Sequence, residues 1–257
     1  GVNVYASVPI SEALTKNNKF NGTHKQQKTE TLLAITDPAD LAIEAIRGLR
    51  TSIHFAMMDA RNNILMISGA SPNAGKTFIS TNLAAVIAQT GKRILFIDAD
   101  LRKGYVLEIF TTKSKVGLSE YLSEGRDINE IIVTIENCGL DFIPRGQVPA
   151  NPAELLMHER FNNLIEQVRN KYDLVIIDTP PILAVTDATI VGRYAGTSLL
   201  VARFEENTVK EISVSIKRCE QAGITIKGCI INGVIRKASS YYSYGYSNYG
   251  YSYSDKK

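Results

Sequence analysis

The chain has no tryptophan, three cysteines and three histidines in 257 residues. The cysteines, at 138, 219 and 229, are scattered, odd in number and without CxxC spacing. That excludes a disulfide framework or a cysteine zinc site and points to a reducing compartment. His24, His54 and His158 are equally dispersed, so a histidine metal site is not expected. No apolar run approaches the ~20 residues that span a bilayer, and no signal peptide is visible. The chain therefore reads as soluble as given, and its start at GVNVYASVPIS, without a methionine, suits a piece of a membrane-anchored parent. A net charge of +3 is too mild for a nucleic-acid partner.

What is abundant is tyrosine at one end. Seven of the twelve tyrosines lie in SSYYSYGYSNYGYSYSDKK, residues 239–257: Tyr241, Tyr242, Tyr244, Tyr246, Tyr249, Tyr251 and Tyr253. This stretch has no aliphatic residue and no helical or strand period. It buries too little to offset its ordering entropy, so it is expected to be disordered. Composition alone makes it a low-complexity end; chemistry upstream that acts on a hydroxyl would make it a substrate.

The length suits one α/β domain with a large core. Residues 15–31, rich in Lys, Asn, Gln and Thr, read as a linker. A helix is expected over 38–58, with Asp37 as N-cap, Pro38 at its first position, and Leu41, Ala45, Leu49, Ile53 and Ala56 on one apolar face. Apolar runs then alternate with helical patterns. NILMISG (63–69), RILFID (93–98), LDFIP (140–144), DLVIID (173–178), TSLLVARF (197–204) and IKGCIING (226–233) read as strands. Helices are expected over 77–90, 151–170 and 208–222, the second capped by Asn151 with Glu154 completing a capping box. The strands are apolar throughout rather than alternating, as when helices cover both sheet faces. The fold predicted is α/β: a P-loop, doubly wound, mostly parallel sheet whose ligands bind beyond the carboxyl ends of the strands.

Those ends hold the informative residues. ASPNAGKTF (70–78) follows the first of these strands and opens a helix, a Walker A context. The usual leading glycine is Ala70. Ser71, Pro72, Asn73, Ala74, Gly75, Lys76, Thr77 and Phe78 are the predicted nucleotide cradle, with Lys76 neutralising β- and γ-phosphates and Thr77 ligating Mg²⁺. Asp98, Asp100 and Asp178 each end or follow an apolar strand. Asp100 and Asp178 are assigned with Thr77 to Mg²⁺, and Asp98 to orienting or deprotonating an acceptor hydroxyl; residue types alone leave open which carboxylate does which. Asn232 either contacts adenine or forms a turn.

Together SGASPNAGKT, ILFIDADLRK and LVIIDTPP resemble the nucleotide motifs of the bacterial tyrosine kinases, in particular the cytoplasmic domain of the proteobacterial Wzc/Etk type. EAIRGLR, GLSEYLSEG, IPRGQVPANPAELL, PPILAVTDA and the tyrosine-rich end carry the resemblance over essentially the whole chain. It implies a P-loop kinase using ATP and Mg²⁺ that autophosphorylates its terminal tyrosines in trans. It implies a ring-shaped homo-oligomer such as an octamer, a role in capsular or exopolysaccharide export, a cognate low-molecular-weight tyrosine phosphatase, and attachment to an inner-membrane and periplasmic part of the same polypeptide. It casts residues 1–36 as a juxtamembrane linker, 37–238 as the kinase domain and 239–257 as the acceptor tail. By position Glu44, Arg47 and Arg50 match an interface motif, although residue types alone give only an i,i+3 ion pair on a surface helix. Tyr105 and Arg145 match a regulatory tyrosine and the arginine that receives its phosphate; without the resemblance Tyr105 is an ordinary loop residue. The rival readings are a MinD/ParA-like ATPase regulator, which carries a lysine where Ser71 stands, and a non-enzymatic scaffold.

Overall fold

In the computed structural model, residues 2–11 and 32–235 are described. The expectations that fall on 12–31 and 236–257 lie outside the described residues. They include the linker and the disordered acceptor tail. The acceptor assignments of Tyr241, Tyr242, Tyr244, Tyr246, Tyr249, Tyr251 and Tyr253 therefore all lie outside the described residues. Eight strands form one sheet: β1 Val4–Pro9, β2 Ile64–Gly69, β3 Ile94–Asp98, β4 Val133–Ile135, β5 Leu140–Ile143, β6 Leu174–Asp178, β7 Thr197–Arg203 and β8 Ile226–Val234. Their order is β1-β8-β7-β2-β6-β3-β5-β4. All pairings are parallel except β4 with β5.

Every residue of β2, β3 and β6 is buried, because helices lie on both faces. The period of two still operates. Leu65, Ile67, Phe96 and Ile176 enter the core on one face, while Met66, Leu95, Ile97 and Val175 enter the core on the other. Asp98 and Asp178 continue the series of Phe96 and Ile176. Their side chains therefore belong to the first face, which is covered by α1 Leu33–Thr36, α2 Leu41–Met58 and α3 Lys76–Ala88.

α3 is buried from Thr77 to Ala88, so it shows no polar stripe. Its internal polar groups are satisfied: Asn82 accepts from the Ala34 amide at 2.8 Å, and Thr81 donates to the Thr77 carbonyl at 2.7 Å. The remaining helices are α4 Val106–Ile109, α5 Leu118–Glu124, α6 Ile128–Ile131, α7 Pro152–Met157, α8 Glu159–Arg169, α9 Asp187–Val191 and α10 Val209–Gln221. Of these, α4 packs into the first core, α5 to α8 pack into the second on the other face, α9 joins the second through Val191 and a third cluster through Ala188, and α10 packs on that third cluster.

The six expected strands appear within a residue of their places. Four expectations change. Asp37 does not cap the long helix. It closes the short α1, and a turn brings Asp40 to the N-cap of α2, where Oδ1 accepts the Ala42 amide at 2.7 Å. The buried face of α2 is consequently Ala42, Ile43, Ile46, Leu49 and Ile53, and Leu41 is exposed. The helix expected over 151–170 is two, because His158 takes an extended conformation (ψ 146°) and caps α8 with Nδ1. Asn151 does not cap α7: its side-chain amide donates to the Glu154 carboxylate instead, so no capping box forms. Finally, Val4–Pro9, assigned by sequence to the linker, is an edge strand beside β8.

Candidate active site at the P-loop

The loop between β2 and α3 reverses tightly. Asn73 (φ 65°) and Gly75 (φ 81°) occupy the left-handed region, and Gly75 is the N-cap of α3. A Cβ on Gly75 would lie 2.0 Å from the Asn232 side-chain amide, so only glycine fits. Ala70 has no positive φ, so its backbone does not require glycine, and its methyl packs fully buried. The loop and the start of a thirteen-residue helix thus line one cavity, an arrangement that receives phosphate oxygens. Residues 71–77 form one wall of a cavity of about 250 Å³; the other wall includes Asp100, Arg102, Lys103, Tyr105 and Pro180–Pro181. A larger cavity, about 510 Å³, is lined by Arg50, His54 and Lys92 near the amino ends of the strands, away from these carboxylates.

Lys76 and the acidic side chains meet at this wall. Lys76 Nζ lies 3.0 Å from Asp178 Oδ2 and 3.5 Å from Asp100 Oδ2. Thr77 Oγ1 donates to Asp178 Oδ2 at 2.9 Å, and Ser80 Oγ donates to Oδ1 at 3.1 Å. Asp98 and Asp178 are direct register partners on adjacent strands, and Asp98 Oδ1 accepts the Asp100 amide at 3.1 Å. One ammonium faces three carboxylates, so the site is short of positive charge. Burial, then repulsion from Asp178, pushes the Asp98 carboxyl up to about 8, against the pull of Lys76. Burial also raises Asp178, with Lys76 and Thr77 pulling the other way. For Lys76, burial acts to lower the pKa, but Asp178, Asp100 and Asp98 together lift it above the ordinary lysine value. The donors Thr77, Asp178 and Asp100 are all oxygen and carry excess negative charge, which fits Mg²⁺. Among the described residues no group of three or more His, Cys, Asp or Glu is arranged to hold a metal by itself.

The other expected site residues fall in several places. Tyr105 is 40 % exposed and lines the cavity; Arg145 does not line it. Phe78 points into the core, so only its backbone belongs to the cradle. Asn232 is neither in a turn nor open to a base: it is buried in β8, and its amide donates to the Ala74 carbonyl at 3.1 Å, bracing the loop. Glu44 and Arg47 form the i,i+3 ion pair on exposed helix surface, and Arg50 stands one turn further on. The expected acceptors Tyr241, Tyr242, Tyr244, Tyr246, Tyr249, Tyr251 and Tyr253 lie outside the described residues. Sequence reading missed Ser80, although it lies one helical turn after Lys76 on the same face. It also missed Asn207, which donates to Ser71 Oγ at 2.6 Å from the loop after β7, and for which no local signal exists.

Residues 62–220 match the AAA domain family. A putative tyrosine-protein kinase in the cps region of Klebsiella pneumoniae is 61% identical over the whole of this chain, which spans 36% of that protein. The kinase domain of Escherichia coli tyrosine kinase ETK is 56% identical, with 96% of each chain covered and a TM-score of 0.85. The cell-division ATPase MinD of Pyrococcus furiosus, 21% identical over 66% of this chain and 72% of its own, with a TM-score of 0.57, shares the fold. The chain thus spans about a third of the length of the curated relatives it matches.

Proposed function

The chain belongs to the bacterial tyrosine kinases of the Wzc/Etk type, and from that premise we propose that it transfers the γ-phosphoryl group of ATP to tyrosine hydroxyls. The observation that carries the reading is the convergence of Lys76, Asp100 and Asp178 at the mouth of a P-loop, with Asp98 beside them on the same sheet face.

Phosphoryl transfer needs positioning and charge neutralisation more than covalent help. In this reading the amides of 71–77 and the positive end of α3 hold the phosphates. Lys76 turns from its carboxylate partners to the β- and γ-oxygens. Mg²⁺ would be held by Thr77, Asp178 and Asp100, and when bound supplies the charge that offsets the polyphosphate. The phenol oxygen bonds to the γ-phosphorus as the bond to the β–γ bridging oxygen breaks, and ADP leaves. Asp98 receives the phenolic proton in its ionised form, whose share grows as pH approaches 8. A phenol titrates near pH 10, and a carboxyl raised by its burial is better matched to it than an ordinary aspartate.

The acceptors proposed are Tyr241, Tyr242, Tyr244, Tyr246, Tyr249, Tyr251 and Tyr253, phosphorylated by a neighbouring copy. Nineteen residues span at most ~60 Å, enough to reach another subunit. Each phosphate adds about −1.5 to −2 charges, and their repulsion would loosen a ring assembled through Glu44, Arg47 and Arg50. Control of capsular or exopolysaccharide export, reset by a tyrosine phosphatase, belongs to the same proposal. Ser71, held by Asn207, argues against a MinD-like regulator, which carries lysine there.

Incubation with labelled ATP tests the reading. Phosphotyrosine on the chain is expected, and Lys76→Met should abolish it. Release of free phosphate without phosphotyrosine would support the ATPase instead, and neither product would leave a scaffold.

A further inference from the structure

Asp187 is a carboxylate that the proposed transfer does not use. It opens α9, its side chain is 0 % exposed, and one guanidinium takes both oxygens: Arg102 Nε donates to Oδ2 at 2.9 Å and Nη2 to Oδ1 at 3.1 Å. A bidentate arginine on a buried carboxylate is a fixed joint, unlike a sliding surface pair. Arg102 belongs to the turn after β3, and α9 to the segment after β6. The joint therefore clasps the two loops that leave the central acid-bearing strands.

The turn carries Asp100. One oxygen of Asp100 accepts the amides of Arg102 at 3.3 Å and Lys103 at 3.1 Å, and its carbonyl accepts the Gly104 amide at 3.0 Å. The other oxygen faces Lys76. Residues 100–104 are thus one hydrogen-bonded unit. Gly104 rests on Asp98: a Cβ there would fall 2.2 Å from Oδ2, and Asp98 is only 2% exposed. Strand register places Asp98 beside Asp178, but Asp100 lies beyond the ladder. Its position needs another anchor.

We propose that Arg102 and Asp187 are a positioning pair that fixes the 100–104 turn, setting Asp100 against Lys76 and Gly104 over Asp98, past which an acceptor hydroxyl must reach. The proposal rests on the kinase reading above. It makes the acceptor side of the site depend on the pair. The phosphate cradle is braced separately, by Asn232 on Ala74 and Asn207 on Ser71.

The full chain carries the test, with Arg102→Gln, Arg102→Lys, Asp187→Asn and the double variant Arg102→Gln/Asp187→Asn. A soluble Glu/Tyr polymer serves as acceptor, ADP binding is titrated by calorimetry, and amide exchange is followed by mass spectrometry. Arg102→Gln and Asp187→Asn should each raise the polymer KM at least tenfold, and Asp187→Asn, outside the cavity wall, should leave the ADP Kd measured without Mg²⁺ within threefold. Arg102→Lys should recover part of that loss. The double variant should be no worse than Arg102→Gln, since both changes break one joint. Amides 102–104 should exchange at least tenfold faster, with 76–88 unchanged. An unchanged acceptor KM, a Kd that weakens in step with it, or effects that multiply in the double variant overturns the proposal. If Asp187→Asn does not fold, Arg102→Gln, at a partly exposed side chain, decides. If wild-type protein phosphorylates no tyrosine, the kinase reading fails, and unaltered exchange at 102–104 in Arg102→Gln then overturns the joint itself.

Discussion

Asp98→Asn should stabilise the nucleotide-free protein at alkaline pH and do nothing at acid pH. In the folded chain the Asp98 carboxyl titrates near 8 rather than at 3.8, chiefly through burial and then through Asp178. The unfolded chain therefore releases this proton first. As pH rises from about 4 to about 8 the unfolded state gains relative to the folded one, and above that range the penalty is complete. Taken alone, a gap of about four units at ~1.4 kcal/mol each would cost ~6 kcal/mol. Lys76 and Asp178 are coupled to the same carboxyl and share the cost, so ~1–3 kcal/mol is the expected gain from asparagine at pH 8.5. Asparagine keeps an oxygen for the Asp100 amide, so the turn is not the source of the change. Urea unfolding of both proteins at pH 5, 6, 7, 8 and 9 measures it. The gain should grow with pH. A gain that is flat with pH, or largest at pH 5, would refute the reasoning.

Other perturbations follow from the same geometry. Gly75→Ala places a methyl against the Asn232 amide at a positive φ, and should cost ~1–3 kcal/mol and abolish ADP binding; urea unfolding and calorimetry check both. Phe142→Ala empties a fully buried site whose ring centroid lies 5.0 Å from Phe110 and 6.0 Å from Phe96. It should cost ~3–5 kcal/mol by urea titration, with ADP affinity retained. Replacing all seven terminal tyrosines by phenylalanine should preserve ADP binding and leave the oligomer intact in ATP, as read by light scattering. Dissociation at the wild-type rate would sink the link between phosphorylation and assembly.

Much of the site is legible because its signals are local. Gly75, Lys76 and Thr77 follow an apolar run and open a helix, and Asp98 and Asp178 each end one. The readings that moved did so where neighbours compete. Asp37 and Asp40 both offer a capping oxygen, and only the turn from α1 decides for Asp40. Asn151 has a partner in Glu154 that takes its amide and leaves the helix end uncapped. Val4–Pro9 stands apart from the strand–helix alternation, and only its parallel pairing with the distant β8 makes it a strand.

Sequence alone determined the alternation of buried strands and helices, the phosphate loop and the presence of acids at strand ends, since each depends on residues within a few positions of one another. Tertiary structure decided which of those ends are neighbours. The β3–β6 register sets Asp98 beside Asp178 across 80 residues, and Arg102 meets Asp187 across 85. Such meetings arise from strand order and from hydrogen-bond ladders between distant segments, and no local pattern in the chain encodes them.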